Sequence, residues 1–185
     1  NRYSKKNILI TDVGSAKKNT ITKINKIKRK DIKWISSHPI AGSEVSGPLN
    51  GNENLFVNKW SVIIKQKNSQ NKEMKRILKF WKLLGSKTVS MDADQHDKIF
   101  AITSHLPHLI AYNLILTATN FKISNKDNVL RFSAGGLRDF SRIAASNEIM
   151  WRDIFFNNKS NMLKVIDLFI KNLKIFKQDI KLNRK

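Results

Sequence analysis

The chain reads as an α/β unit over residues 1–91 followed by an all-helical unit over residues 92–185. Short β-branched runs alternate with amphipathic stretches as far as Met91, and from Asp92 onward the apolar spacing is helical. At 185 residues the chain is long enough for one or two small domains with a real core.

The first strand is predicted over Asn7–Thr11, around the apolar run Ile8-Leu9-Ile10. Asn19–Lys30 follows, with Ile21, Ile24 and Ile27 spaced as in a short amphipathic helix, and Ser15 is its candidate N-cap. Asp31–Ser36 is the next strand, short and β-branched. It leads into Ser-Ser-His-Pro-Ile-Ala-Gly-Ser-Glu-Val-Ser-Gly, residues 36–47. Pro39 fixes its own φ and biases His38 away from helix, so the imidazole is expected on a rigid extended corner at the end of a buried strand. In open α/β sheets such strand ends bind ligands.

Trp60–Ile64 is a further strand. Lys72–Leu84 places Met74, Ile77, Leu78, Trp81 and Leu84 along one helical face, with Gly85 as its stop. Thr88–Met91 is a last short strand. Asp92 then caps a long helix interrupted at Pro107, where the missing backbone donor predicts a kink. Asn147–Asn157 and Asn161–Lys177 read as further helices. In the latter, Met162, Val165, Ile166, Phe169, Ile170, Leu173 and Phe176 form an apolar stripe suited to a core or a dimer seam.

Composition narrows the function classes. No cysteine is present, which excludes disulfides and thiolate metal sites and fits a reducing, cytoplasmic setting. No uninterrupted apolar run reaches the roughly 20 residues that span a bilayer. The polar start Asn1-Arg-Tyr-Ser-Lys-Lys6 does not open a signal peptide, and without an initiator methionine the chain is expected to be a fragment. A formal charge of +21 would suit a nucleic-acid or anionic-membrane binder. Yet the lysines are scattered, often beside Asn and Ile, as an A/T-rich coding sequence would place them. Even Lys171–Lys185 alternates with apolar positions. No nucleic-acid or membrane partner is therefore expected, and the charge serves to attract an anionic substrate. A basic nucleic-acid-binding module stands as the alternative.

Two further patterns bear on chemistry. His105 and His108 flank Leu106-Pro107 at a spacing that would place both on one side of a helix, as a metal pair requires. No third ligand follows at matching spacing, so no metal is expected. The chain also lacks the Gly-x-Gly-x-x-Gly turn, and the acidic residue about 20 positions later, of a dinucleotide fold.

Four stretches in order carry a resemblance. They are Thr11-Asp-Val-Gly-Ser-Ala-Lys17, His38–Gly47, Met91-Asp-Ala-Asp-Gln-His-Asp97 leading into Ser104-His-Leu-Pro-His108, and Gly135–Ser146 followed by Met150-Trp-Arg-Asp-Ile154. Together they resemble the prephenate dehydrogenase family of tyrosine biosynthesis, whose close relatives use arogenate; the likeness covers roughly residues 7–175. It implies the C-terminal half of a Rossmann-like nucleotide-binding domain, with the glycine-rich half upstream of Thr11 missing, then a helical substrate-binding and dimerisation domain. The fragment alone is accordingly expected to be inactive.

The implied reaction is oxidative decarboxylation of prephenate, or arogenate, to 4-hydroxyphenylpyruvate, or tyrosine, with NAD or NADP as hydride acceptor. His38 matches the catalytic histidine, and an imidazole with an ordinary pKa near 6.5 suits a base at neutral pH. Ser15 matches a serine that hydrogen-bonds this histidine, and Asp12, Ser15 and Pro39 fall on the cofactor side. Arg142 matches the arginine that grips a substrate carboxylate, for which a guanidinium fork is the best fit. Glu44 matches an acid paired with that arginine, His108 and Ser104 line the pocket, and Asp139 shares the helical face of Arg142. His105 supports His108, while His96 and Trp151 are read as structural. A homodimer through the C-terminal helices is expected. A catalytically silent relative that senses tyrosine is a further alternative.

Overall fold

A computed structural model describes residues 8–27, 31–42, 47–65, 71–121 and 129–184. Packing divides the chain into two compact units, Asn1–Lys98 and Ile99–Lys185.

In the first unit, β1 (Ile8–Ile10) pairs in parallel with β2 (Ile32–Trp34), and α1 (Lys18–Ile24) is the crossover between them. The helix ends well short of the expected Lys30. A second sheet has the order β3-β4-β5, from β3 (Ser37–Pro39), β4 (Trp60–Ile64) and β5 (Lys87–Met91). β3 runs antiparallel to β4, whereas β4 and β5 are parallel and joined through α2 (Asn71–Leu83). His38 is thus not on a corner after a strand; it is the middle residue of a short edge strand, opposite Val62. Pro39 is tolerated there because an edge strand leaves one row of amides unpaired.

Ile35, Ile63, Ile77 and Trp81 form the core, with Leu9, Phe56, Met74 and Leu78 packed against it. Ile77, Trp81, Met74 and Leu78 are the apolar face of α2, as their spacing required, while Leu9 and Ile63 come from strands and Ile35 and Phe56 from the connecting segments. Gly85 follows α2 with φ +80, and a Cβ there would lie 3.1 Å from Val57 Cγ2, so this stop is specific for glycine.

Asp92 caps α3 (Ala93–Phe100), accepting a hydrogen bond of 2.8 Å from the Gln95 amide. The first unit extends to Lys98 because His96 and Asp97, on the inner face of α3, are buried within it. A π-helical turn, Ala101–His105, follows, and then α4 (Leu106–Asn120). Pro107 sits in the first turn of α4, so the irregularity precedes the proline rather than forming a kink at it. The Leu106 amide reaches back to the Ala101 carbonyl, widening the turn ahead of a residue that has no amide hydrogen to donate.

The combined helix Ala93–Asn120 is 28 residues long with a mean hydropathy of 1.4 over its most apolar window, enough by length and composition to cross a membrane. The count of uninterrupted apolar residues missed this because Ser104, His105 and Asn113 interrupt the run without outweighing it.

α5 (Gly135–Ala144), α6 (Glu148–Asn157) and α7 (Lys159–Leu182) complete the second unit. Asn147 caps α6 by accepting the Met150 amide at 2.8 Å. Tyr112 of α4 donates to the Ser146 carbonyl at 2.8 Å. α7 is longer than expected at both ends, and its apolar stripe grows more exposed from buried Met162 toward Phe176.

Candidate active site

The most unusual cluster of the first unit lies around His38, which is 8% exposed on β3. Its Nδ1 is 2.8 Å from Nε2 of His96, and the two rings meet at 59° with centroids 5.0 Å apart. His96 is fully buried, and its Nδ1 is 2.8 Å from Oδ1 of Asp97. Asp97 in turn accepts the Lys17 amide on Oδ1 and the Lys18 amide on Oδ2, both at 2.9 Å.

Asp97 therefore caps α1, and Ser15 does not. A carboxylate that satisfies two orphan amides at once outcompetes a neighbouring hydroxyl for the helix start. Ser15 is half-buried in the preceding loop, and no hydrogen bond joins it to His38 among the described residues.

The loop Thr11–Lys17, at the carboxyl end of β1, is laced to β3. Lys17 is completely buried; its ammonium pairs with Asp12 Oδ2 at 2.6 Å and donates to the Ser37 carbonyl. Ser36 donates to Asp12 Oδ1 at 2.6 Å, and the Thr11 and Ser37 hydroxyls are 2.7 Å apart. A buried ammonium is sustained only by such pairing. Burial lowers the Lys17 pKa, against the pull of Asp12. Burial likewise holds His96 below the usual histidine value, although Asp97 opposes it. For Asp97 burial acts upward, but the hydrogen bonds from His96 and from the Lys18 and Lys17 amides outweigh it and leave the carboxyl below its ordinary range.

The Thr11–Lys17 loop stands where open α/β sheets bind ligands. It leaves a parallel strand at its carboxyl end, with Ser15 half-buried and the Val13–Gly14 turn exposed.

In the second unit, His108 Nδ1 lies 3.0 Å from the Ser104 carbonyl, and its ring stacks on Trp151 at 3.5 Å and 20°. Burial lowers the His108 pKa, with the Ser104 carbonyl opposing it. Trp151, buried on α6, is thus a wall against His108 as well as a packing residue. His105 is fully buried and its Nδ1 is 3.2 Å from Nδ2 of Asn158, the residue between α6 and α7. The two histidines have different partners, and no group of three His, Cys, Asp or Glu fit to hold a metal occurs among the described residues.

Asp139 and Arg142 are both exposed on α5, one turn apart. Glu44 lies outside the described residues. The sequence reading missed Lys17, Asp97 and Asn158 as organisers of the clusters. An adjacent His-Asp pair at the start of a helix was the one available signal for Asp97.

Comparison with known proteins covers both units of the chain. The nucleotide-binding domain model of prephenate dehydrogenase matches residues 2–90, and the dimerization domain model matches residues 92–185. A cyclohexadienyl dehydrogenase of Zymomonas mobilis is 35% identical over 170 residues, covering 92% of this chain and 58% of the relative. A prephenate dehydrogenase of Bacillus subtilis is 32% identical over 166 residues, covering 90% of this chain and 44% of the relative. The crystal structure of the Aquifex aeolicus prephenate dehydrogenase in complex with hydroxyphenyl propionate and NAD+ superposes with a TM-score of 0.86 at 35% identity. That match covers 94% of this chain and 59% of that one. The chain thus spans about half the length of the curated relatives it matches.

Proposed function

Because this chain belongs to the prephenate dehydrogenase family, we propose that the complete protein carrying it oxidatively decarboxylates prephenate, or its amino counterpart arogenate. The observation that carries this reading is His38, buried beside the Thr11–Lys17 loop with its Nδ1 on His96. Such a fixed imidazole is what a proton-transfer step at a ring hydroxyl needs.

NAD or NADP, when bound, supplies the acceptor for the hydride. His38 Nε2 takes the proton of the ring hydroxyl as its carbon–oxygen bond gains carbonyl character. The ring carboxylate then leaves as carbon dioxide, its electron pair completes the aromatic ring, and the same imidazole returns the proton to the phenolic oxygen. Asp12, Ser15 and Pro39 serve the nicotinamide side. Arg142 grips a substrate carboxylate with its guanidinium fork, Glu44 balances that charge, and Asp139 supports it from the same helical face. Ser104 and His108 line the substrate pocket. The positive charge of the chain favours the capture of a dianionic substrate. The working form is a cytoplasmic homodimer.

The test is reduced-nicotinamide absorbance on the complete protein, with each substrate and each cofactor in turn. Nucleic-acid filter binding at physiological salt and tyrosine calorimetry run beside it. Turnover of prephenate or arogenate is expected. Salt-sensitive nucleic-acid binding or tyrosine binding without turnover overturns the proposal.

A further inference from the structure

We propose that His96 and Asp97 form a buried relay that dictates which nitrogen of His38 carries its proton, and that steadies the imidazole when it takes a second one. The inference rests on the reading of His38 as the base. His96 and Asp97 are positioning residues in it, since both act through His38.

The direction of the relay follows from groups that cannot reverse. The Lys17 and Lys18 backbone amides only donate, and they occupy both oxygens of Asp97. The depressed pKa of Asp97 keeps it a carboxylate, which only accepts. His96 Nδ1, 2.8 Å from Asp97 Oδ1, must then carry the hydrogen. His96 is held neutral by its burial, so its Nε2 is an acceptor. His38 Nδ1, 2.8 Å from that nitrogen, must donate. The lone pair of neutral His38 is thereby placed on Nε2, the atom assigned to the hydroxyl proton. The start of α1, a feature of the backbone, thus sets the tautomer of a side chain on β3 through two intermediaries.

The charges around the relay support it. Across from α3 stand Lys17 and Asp12, which pair with each other, while β4 contributes only Val62 opposite His38. Asp97, a carboxylate bonded to His96 Nδ1, has the sign that favours a protonated His38. Burial, with a smaller contribution from Lys17, disfavours charge on His96 against the pull of Asp97 and keeps the middle of the relay neutral. A carboxylate orienting a catalytic imidazole is the logic of hydrolase triads, here with a second imidazole interposed.

Long-range 1H–15N NMR of the histidines in the 185-residue chain reads the relay without any turnover. Hydrogen on Nδ1 of both His38 and His96 at neutral pH is expected; hydrogen on Nε2 of His38, or a mixture of tautomers, overturns the relay. In the complete enzyme, His96→Phe and Asp97→Asn are each expected to lower kcat by about 10²-fold with KM little changed. The acid limb of the kcat/KM profile should also move to lower pH, because the stabilisation of protonated His38 is lost. Lower activity with an unmoved limb would mean a merely structural role and would overturn the proposal. Should either variant fail to fold, the tautomer measurement on the unsubstituted chain still decides. Lack of turnover by the unsubstituted enzyme would defeat the dehydrogenase reading, while the NMR result would stand or fall on its own.

Discussion

At the residue scale, the proposed roles separate by which kinetic constant each side chain controls. His38→Asn in the complete enzyme removes the proton acceptor, and turnover is expected to drop by about 10²- to 10⁴-fold with KM nearly constant. Arg142→Gln should chiefly raise KM, because a carboxylate held alike in ground and transition states contributes uniform binding. Equal effects of both on kcat, with KM untouched, would refute the assignment. The buried titratable groups add a pH dependence to the first unit. His96 has a folded pKa below its unfolded value near 6.5, so the stability it confers is complete above about pH 6.5 and is lost as pH falls through the folded value. Asp97 has the same sign from a lower starting point: its contribution is present above about pH 4 and fades as pH falls through its depressed folded value. The urea midpoint of the first unit should thus decline in two acid steps, and His96→Phe should remove the upper one. An unchanged midpoint between pH 7 and pH 5 in the unsubstituted chain would contradict a neutral buried His96. His38 and Arg142 stood out in local sequence because each sits in a short distinctive motif. The partnership of His38 with His96 was not, because 58 residues separate them and only folding brings them together.

At the element scale, periodicity located most helices and strands, though not α5 or β3, and the ends of the elements depended on partners distant in sequence. α2 and its glycine stop could be read directly, since the apolar face and the left-handed position both lie within one local stretch. The start of α1 could not, since its cap comes from Asp97 on α3. β3 was read as a corner because a three-residue edge strand carries too little alternation to register. Gly85→Ala should lower the stability of the first unit by about 2 kcal/mol, combining a left-handed backbone with a Cβ forced against Val57. Asn147→Ala should cost the second unit about 1 kcal/mol through loss of the α6 cap. Urea titrations followed through the indole signals of Trp81 and Trp151 report the two units separately. A Gly85→Ala midpoint equal to that of the unsubstituted chain would show that the turn after α2 is not under the strain described.

At the scale of the whole molecule, net charge and exposed apolar surface make opposite demands on assembly. α7 is 24 residues long and along one face presents Ile170, Leu173, Phe176 and Ile180, of which Ile180 is 77% exposed. Monomers rarely leave so extended an apolar face in water. Residues 92–185 match a dimerization domain, and in the proposed homodimer a second copy would cover this face. Each copy brings a charge of +21, and that repulsion reaches only about 10 Å at 0.1 M salt. Association of this chain should therefore strengthen as salt is raised, the reverse of what a basic protein shows toward nucleic acid. Sedimentation equilibrium at concentrations on the order of tens of micromolar should find a dimer at moderate salt. Dissociation should grow as salt is withdrawn, and the double substitution Phe176→Lys, Ile180→Lys should give a folded monomer. A monomer at moderate salt in the unsubstituted chain would eliminate the dimer and leave the α7 face without its partner.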